Sequence, residues 1–573
     1  MKQNISFPLQ VQAVSAWLET SGATDIIREK TSTLRWRVIN SDHPALNGSK
    51  VYLVLPESFP ARPARIEVDK SLCLTLPHVE ESGNVCLGAY PEGVDYDDPI
   101  QAVSRVLQSF QSLLDQALSP EWIRQELQHE RLAYWHRFCH QRTHVHLRST
   151  PYAVYVTDLP QMPYCEGVAA FYRRPSKKAL EHYEVVIASA GAESPEDWNK
   201  RHDLANGTLI HGKALFVQMP NDFPWTPTNW PTEFSGLDAL VGELTAQPNL
   251  FRQWLRKAPK KDLSPFLLIL VAGSVQYAYQ VHHSLAPIYP PNIVPLDVTR
   301  IDAAWSLTRD HNAGVFQQRK AQKILVLGCG SLGSPVIELL ARAGIGEIDV
   351  VDCQAFEPEN CSRHVLGIRS LGKSKATAMA SRLIEEIPGV IVNGKPQHAS
   401  DWVLNHCMPS QYDLVVDCTA ESSVRCLLGQ VRNTTFAGCL IAHAWLEPFC
   451  AAAHVVLLTN ENVWPPDDPA DTINVAEWPP NLDIKLPACG VGFHPYGVAD
   501  VWQAAGFAAE RLLQVIDEEV TSSTVWSWIR SKAYFESLGY PLRLKPIVPS
   551  LPSATDALSI TRQLHDVLSS NSQ

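Results

Sequence analysis

The chain has 573 residues, room for roughly three to four domains of ordinary size. Hydrophobic residues make up 45% of it and the formal net charge is −12, with an isoelectric point near 5.9. That balance lacks the basic footprint of a nucleic-acid binder. No apolar run approaches the ~20 residues that span a bilayer, and Met1 to Phe7 lacks the apolar stretch of a signal peptide. The expectation is a cytoplasmic chain with neither nucleic acid nor membrane as partner. The 13 cysteines include no CxxC pair, which argues for scattered reduced thiols, mostly packed inside, over a zinc ribbon.

In chain order, residues 1–150 read as an α+β domain. A helix over Pro8–Glu19 precedes strands at Thr33–Val38, Lys50–Leu55 and Ile66–Val68. Two helices follow, Ile100–Ala117 and Pro120–His140; in the first, Ile100, Val103, Val106, Leu107, Phe110, Leu113 and Leu114 recur at helical spacing. Residues 151–300 read as an α+β linker or partner-docking domain. Strands are expected at Ala153–Val156, Glu184–Ala188 and Ala214–Gln218, and a helix over Pro265–Tyr279 with Ser264 as its N-cap. From 301 to 535 the pattern is βαβ. Strands are expected at Lys323–Leu327, Ile348–Val351 and Leu414–Asp417, and helices at Ser331–Ala343, Lys373–Ile387, Val424–Arg432 and Val498–Asp517. This alternation implies a Rossmann-like parallel sheet covered on both faces. Residues 461–487 read as a long loop and 536–573 as a C-terminal tail, mobile from Ser550.

Gly328-x-Gly330-x-x-Gly333 joins a strand to a helix, and Asp352 closes the next strand. Glycines let backbone approach a phosphate, the helix start offers unpaired N–H groups, and the carboxylate can accept from a ribose. To this point NAD and ATP are equally served. Asn360, Arg363 and Lys375 then follow. A dehydrogenase has no use for such a set, whereas splitting a triphosphate builds charge that Arg and Lys stabilise.

The ordered set Gly328/Gly330/Gly333, Asp352, Asn360, Arg363 and Lys375 resembles the ThiF/MoeB/ubiquitin-activating-enzyme superfamily over about residues 300–520. The resemblance implies that these residues bind ATP, and that Arg309, in Leu307-Thr308-Arg309-Asp310, reaches a neighbour's nucleotide across a homodimer. It also implies Mg2+. The family's D-x-T-D-N motif reads Asp417-Cys418-Thr419-Ala420-Glu421 here, so Ala420 stands where the second metal carboxylate is expected and Glu421 follows one residue on; Asp417 and Glu421 are the expected ligands.

Two cysteines are candidate nucleophiles. Cys489, in Leu486-Pro487-Ala488-Cys489-Gly490, lies where ThiF-like enzymes carry a loop that crosses the active site and can bear a thioester-forming thiol; His494 is near in sequence, and Cys450 is the rival. Leu55-Pro56-Glu57-Ser58-Phe59-Pro60-Ala61-Arg62-Pro63 and Leu76-Pro77-His78-Val79-Glu80-Glu81-Ser82-Gly83-Asn84-Val85-Cys86-Leu87 resemble the proline-rich turn and the acyl-carrying cysteine loop of ubiquitin-conjugating enzymes. The resemblance places Cys86 at the acyl-carrying position, with Cys73 as the rival thiol. The usual Asn of the HPN triplet is His78, an oxyanion donor, a base for the incoming amine, or a turn residue.

A conjugating-like domain, a linker domain and an activating-like domain on one chain resemble the fusions of CBASS anti-phage operons. The resemblance implies adenylation of a protein C-terminus, a thioester relay from Cys489 to Cys86, and transfer to an amine of a protein or small molecule. The cargo implied is the operon's cyclic-oligonucleotide synthase (CD-NTase). Conjugation of a small ubiquitin-like protein, sulfur-carrier activation and a non-enzymatic scaffold are the alternatives.

Overall fold

The computed structural model describes residues 9–20, 26–28, 34–38, 42–88, 92–143, 153–160, 162–175, 182–257, 265–282, 290–308, 313–459, 462–479, 482, 484–486, 489–493, 495–550 and 557–569. The chain divides into two units, one of residues 1–197 with 205–300, the other of 198–204 with 301–573.

The first unit begins with a five-stranded antiparallel sheet in the order Ile26–Arg28, Arg35–Val38, Val51–Val54, Arg65–Glu67, Asn84–Val85. Helices Leu9–Thr20 and Pro99–Gln116 share its core, where Trp36, Leu53, Ile66, Val103 and Phe110 are buried. Asp98 caps the second helix, its Oδ1 accepting from the Gln101 amide at 3.0 Å, with Pro99 in the first turn.

The single helix expected over 120–140 is two, Pro120–His129 and Arg131–Thr143, broken at Glu130 (φ −96°, ψ 24°). The break lets the second helix join another core. Its Trp135 is fully buried against Trp225, Trp230, Tyr277 and Tyr279. The last two belong to an eight-stranded mixed sheet in the order Asn292–Leu296, Val275–His282, Phe266–Ala272, Thr208–Gln218, Tyr164–Pro175, His182–Ser189, Ala153–Asp158, Thr299–Arg300.

The helix expected over Pro265–Tyr279 is instead a hairpin, Phe266–Ala272 paired antiparallel with Val275–His282; its expected cap, Ser264, lies outside the described residues. The run Phe266-Leu-Leu-Ile-Leu-Val-Ala272 is buried at every position, as in a strand covered on both faces, and periodicity alone does not separate such a strand from a buried helix. Gly273 makes the turn at φ +57°.

The second unit carries a doubly wound sheet. Five parallel strands run in the order Ile391–Lys395, Glu347–Val351, Lys323–Leu327, Leu414–Asp417, Leu440–Leu446, then three antiparallel ones, Ala452–Leu458, Thr524–Arg530, Ala557–Gln563. Chain order along the parallel part is third, second, first, fourth, fifth. The winding therefore reverses between Lys323–Leu327 and Leu414–Asp417, and a crevice opens at the carboxyl ends of that pair. The presumed tail instead adds an edge strand, with helix Leu564–Ser569 after it. Within 461–487, helix Ala470–Ile473 and strands Ala476–Glu477 and Ile484–Leu486 replace the expected continuous loop among the described residues. No helix of the described residues is long and apolar enough to cross a membrane.

Candidate active site

Strand Lys323–Leu327 delivers Gly328 at φ +90°, where a Cβ would meet the Cys418 carbonyl carbon and the Thr419 amide at 2.9 Å. Only glycine lets the two central strands end this close. At Gly333 a Cβ would strike the Gly328 carbonyl at 2.1 Å, whereas at Gly330 it would meet nothing within 4 Å. Two glycines thus serve the protein's own packing, and the third leaves open space beside helix Gly333–Arg342, whose first amides have no acceptor within the helix.

The loop is braced from three sides. Asp352 accepts from the Cys329 amide at 2.7 Å and the Gln354 amide at 2.8 Å. The His364 Nε2 lies 2.7 Å from the Cys329 carbonyl, while its Nδ1 accepts from the Leu366 amide at 3.0 Å. That second bond makes Nε2 the protonated nitrogen, so it donates to the loop. Burial, reinforced by Lys375 and opposed by the Cys329 bond, lowers His364 to about 4; the ring is neutral. The third brace is the Tyr496 hydroxyl, 2.6 Å from Ser331 Oγ, whose ring carries the Arg363 guanidinium at 4.8 Å from its centroid.

Lys375 opens helix Lys375–Glu386 behind the Ser374 cap and is only 5% exposed. Its Nζ donates to Gln354 Oε1 at 2.7 Å, and among the described residues no carboxylate pairs with it. A buried ammonium met by a neutral amide is costly unless an anion joins it. Asn360 Oδ1 accepts from the Glu357 amide at 2.9 Å, shaping the turn that leads to Arg363.

Asp417 is 1% exposed, and its carboxylate is taken up. Oδ1 accepts from the Thr419 amide (3.0 Å) and hydroxyl (2.6 Å), and Oδ2 lies 2.9 Å from the His443 Nδ1. Ala420 sits in the left-handed region at φ +60°, and Glu421 is exposed just before helix Ser422–Gln430. With Asp417 committed to internal partners, the pair Asp417 and Glu421 does not form a magnesium ligand set. Arg309 and His494 lie outside the described residues. Cys489 begins strand Cys489–Phe493, paired with Ile484–Leu486 such that Leu486 faces Cys489. The rival Cys450 is buried, its thiol raised by burial to about 12.

In the first unit, residues 78–86 fold into a tight loop. The Cys86 amide donates to the His78 carbonyl at 2.8 Å and the Glu80 amide to the Asn84 carbonyl at 2.8 Å. Gly83 turns it at φ +89°, where a Cβ would strike the Val68 carbonyl at 2.4 Å. Cys86 is exposed, whereas Cys73 is buried and its thiol is pushed up by burial. His78 stands at φ +64°, a region costly for most side chains. The conformation is held from the helices: the His78 amide donates to the Tyr134 hydroxyl (2.7 Å), its Nε2 lies 3.4 Å from Glu126 Oε1, its Nδ1 3.7 Å from Glu130 Oε2, and Arg137 donates to the Val79 carbonyl (2.7 Å).

The structure thus gathers Gly328, Gly330, Gly333, Asp352, Arg363 and Lys375 around one crevice, and sets His78 beside Cys86 through the backbone. Sequence reasoning missed Gln354, His364 and Tyr496 at the crevice, and Glu126, Glu130 and Tyr134 behind His78. His364 follows Arg363 directly and was open to notice. Tyr496, far along the chain, carries no local signal.

Strand, glycine loop, second-strand carboxylate and buried lysine place a ThiF-type nucleotide fold on the same chain as a conjugating-type cysteine loop. Comparison with known proteins agrees. Residues 306–435 match the ThiF family, and residues 23–142 match the prokaryotic E2 family B. The chain is similar to the ATP-dependent ubiquitin transferase-like protein Cap2 of Pseudomonas aeruginosa, 24% identical over 63% of this chain and 64% of that one. The namesake from Vibrio cholerae is 26% identical over 39% and 40%. The adenylyltransferase and sulfurtransferase MOCS3 of Mus musculus is 37% identical over 19% and 24%. The match therefore spans less than two thirds of these relatives' length. Among solved structures, Escherichia coli MccB with AMPCPP and MccA covers 42% of this chain and 68% of its own at 19% identity, with a TM-score of 0.29, too low to bear on fold or chemistry.

Proposed function

We propose that this chain activates the C-terminal carboxylate of a protein with ATP and joins it to an amine through a two-cysteine relay. The observation that carries the reading is the buried Lys375 ammonium, unpaired with any carboxylate among the described residues, beside a glycine loop with open space at Gly330. The carboxylate oxygen attacks the α-phosphorus and pyrophosphate leaves, its charge met by Lys375, Arg363 and the helix amides. Asp352 holds the loop and offers an acceptor to the ribose, and Asn360 shapes the turn before Arg363. The Cys489 thiolate then displaces AMP, forming a thioester. The Cys86 thiolate displaces Cys489, and an amine displaces Cys86 and loses a proton. His78, held by the Glu126 and Glu130 carboxylates, serves the oxyanion or takes that proton. Each thioester exchange is close to neutral, so adenylation drives the sequence.

Arg309 is assigned to a neighbour's nucleotide in a homodimer. Magnesium would arrive with the triphosphate, and no residue of this chain is assigned to it. The cargo, in this reading, is a CD-NTase encoded beside the chain, and the reaction takes place in the cytoplasm as part of anti-phage defence. The relatives named as ubiquitin transferase-like support conjugation.

The test is ATP–pyrophosphate exchange with purified candidate cargo, followed by mass spectrometry of the Cys86→Ala and Cys489→Ala chains. Cargo-dependent exchange is expected, with cargo on Cys489 when Cys86 is absent and no thioester when Cys489 is absent. Cargo on Cys86 without Cys489 refutes the order of steps. Absence of exchange with every candidate favours the scaffold.

A further inference from the structure

Three segments of the first unit converge on a cluster that the conjugation reading does not use. His136 and His140 stand one turn apart on helix Arg131–Thr143, their ring centroids 4.3 Å apart. Asp297 follows strand Asn292–Leu296, and its Oδ2 lies 2.5 Å from the His136 Nδ1. One ligand atom from each of the three lies within 4.8 Å of the others. Glu81, from the loop that ends at Cys86, brings its Oε2 to 3.8 Å from the His140 Nδ1.

The register is fixed by packing. The buried Trp135 donates its Nε1 to the Leu296 carbonyl at 3.0 Å, which places its neighbour His136 opposite Asp297. We propose that His136, His140 and Asp297 form a binding site for a borderline divalent cation of the zinc class, with Glu81 or water completing the shell.

Two imidazoles spaced i, i+4 on one helix face with a carboxylate from another element suit zinc geometry. The donor set is too nitrogen-rich for magnesium or calcium. Asp297 is more than half buried. The site also has a mechanical consequence. The same helix supplies Tyr134 to the His78 amide and Arg137 to the Val79 carbonyl. An ion that ties this helix to Glu81 and to the sheet would hold the cysteine loop from both ends.

The test is titration of the chelator-stripped full-length chain with Co2+ alone, then Zn2+ alone. One equivalent of cobalt with visible d–d absorption and no sulfur-to-metal charge-transfer band is expected, displaced by zinc, with a rise in melting temperature. The variant His136→Gln/His140→Gln should lose this equivalent, and Asp297→Asn should weaken it by about tenfold or more, the lower range for disturbing a metal's surroundings. Undiminished uptake in the double variant overturns the proposal, as does absence of saturable uptake by the wild type. Zinc-edge X-ray absorption of the wild-type chain needs no variant: an imidazole and oxygen shell supports the site, and a sulfur shell overturns it.

Discussion

Lys375 is an ammonium held out of water with a carboxamide for company, an arrangement unfavourable in the free chain and favourable once an anion arrives. Replacing it by Met keeps the stem and removes the charge. We expect Lys375→Met to cut cargo-dependent pyrophosphate exchange by about 10²–10³-fold, the usual loss for one group stabilising transition-state charge. The melting temperature should stay level or rise, because a buried cation is gone; a large fall in both readouts would make Lys375 a structural residue.

His364 makes a pH prediction. Its pKa is about 4, against an ordinary 6.5, chiefly from burial. Between those values the unfolded chain binds a proton that the folded one refuses. The stability is therefore complete above pH 6.5 and lost as pH falls toward 4, by about 2 kcal/mol at pH 5. Hydrogen exchange of peptides across residues 323–366 in the full chain should show this loss, and His364→Gln should flatten it. An equal slope in the variant would assign the effect to other groups.

At the scale of elements, helix Arg131–Thr143 has one face on the cysteine loop and another in the core of the second sheet. Tyr134→Phe leaves the His78 amide without its acceptor at a position already strained by φ +64°. Orphaning this part-buried donor costs at most about 1–3 kcal/mol, the range for a fully buried one. Transfer from a Cys86 thioester to an amine should slow, while cargo-dependent exchange stays within twofold of wild type by our order-of-magnitude expectation for a residue outside the nucleotide unit. Single-turnover discharge of the charged chain measures it; unchanged discharge would show that the loop holds its shape without the tyrosine.

This helix also shows what a sequence can carry. The strand, glycine loop and helix of Lys323–Arg342 follow from local signals: a buried apolar run, glycines at required spacing, and helical periodicity. The break at Glu130 does not, because no glycine or proline marks it, and the hairpin Phe266–His282 does not, because a run buried on every side has no period to read. The residue types of the crevice were legible from chemistry that needs fixed cations near a phosphate. The braces His364, Gln354 and Tyr496 were not, since each acts through a hydrogen bond whose partner is set by tertiary folding. The edge strand Ala557–Gln563 alternates weakly, with half-exposed residues such as Ile560, and its place comes from pairing with Thr524–Arg530.

At the scale of the whole chain, the two units hold separate halves of the proposed chemistry, and damage to one should leave the other's reaction running. Trp135 offers the clearest lever. It is fully buried, touches Trp225, Trp230, Tyr277 and Tyr279, and hydrogen-bonds to Leu296. Truncating such a side chain costs about 3–5 kcal/mol, a large part of a domain's margin. Trp135→Ala should therefore loosen the first unit, including the helix behind His78, and leave the nucleotide fold of residues 313–550 intact. The expected readouts diverge: a lower first melting transition and little amide-joined product, alongside pyrophosphate exchange close to wild type and cargo still charged on Cys489. The measurement is differential scanning calorimetry paired with exchange and thioester gels on one preparation. Loss of exchange in step with loss of product would mean that the two halves fold and act as one cooperative body.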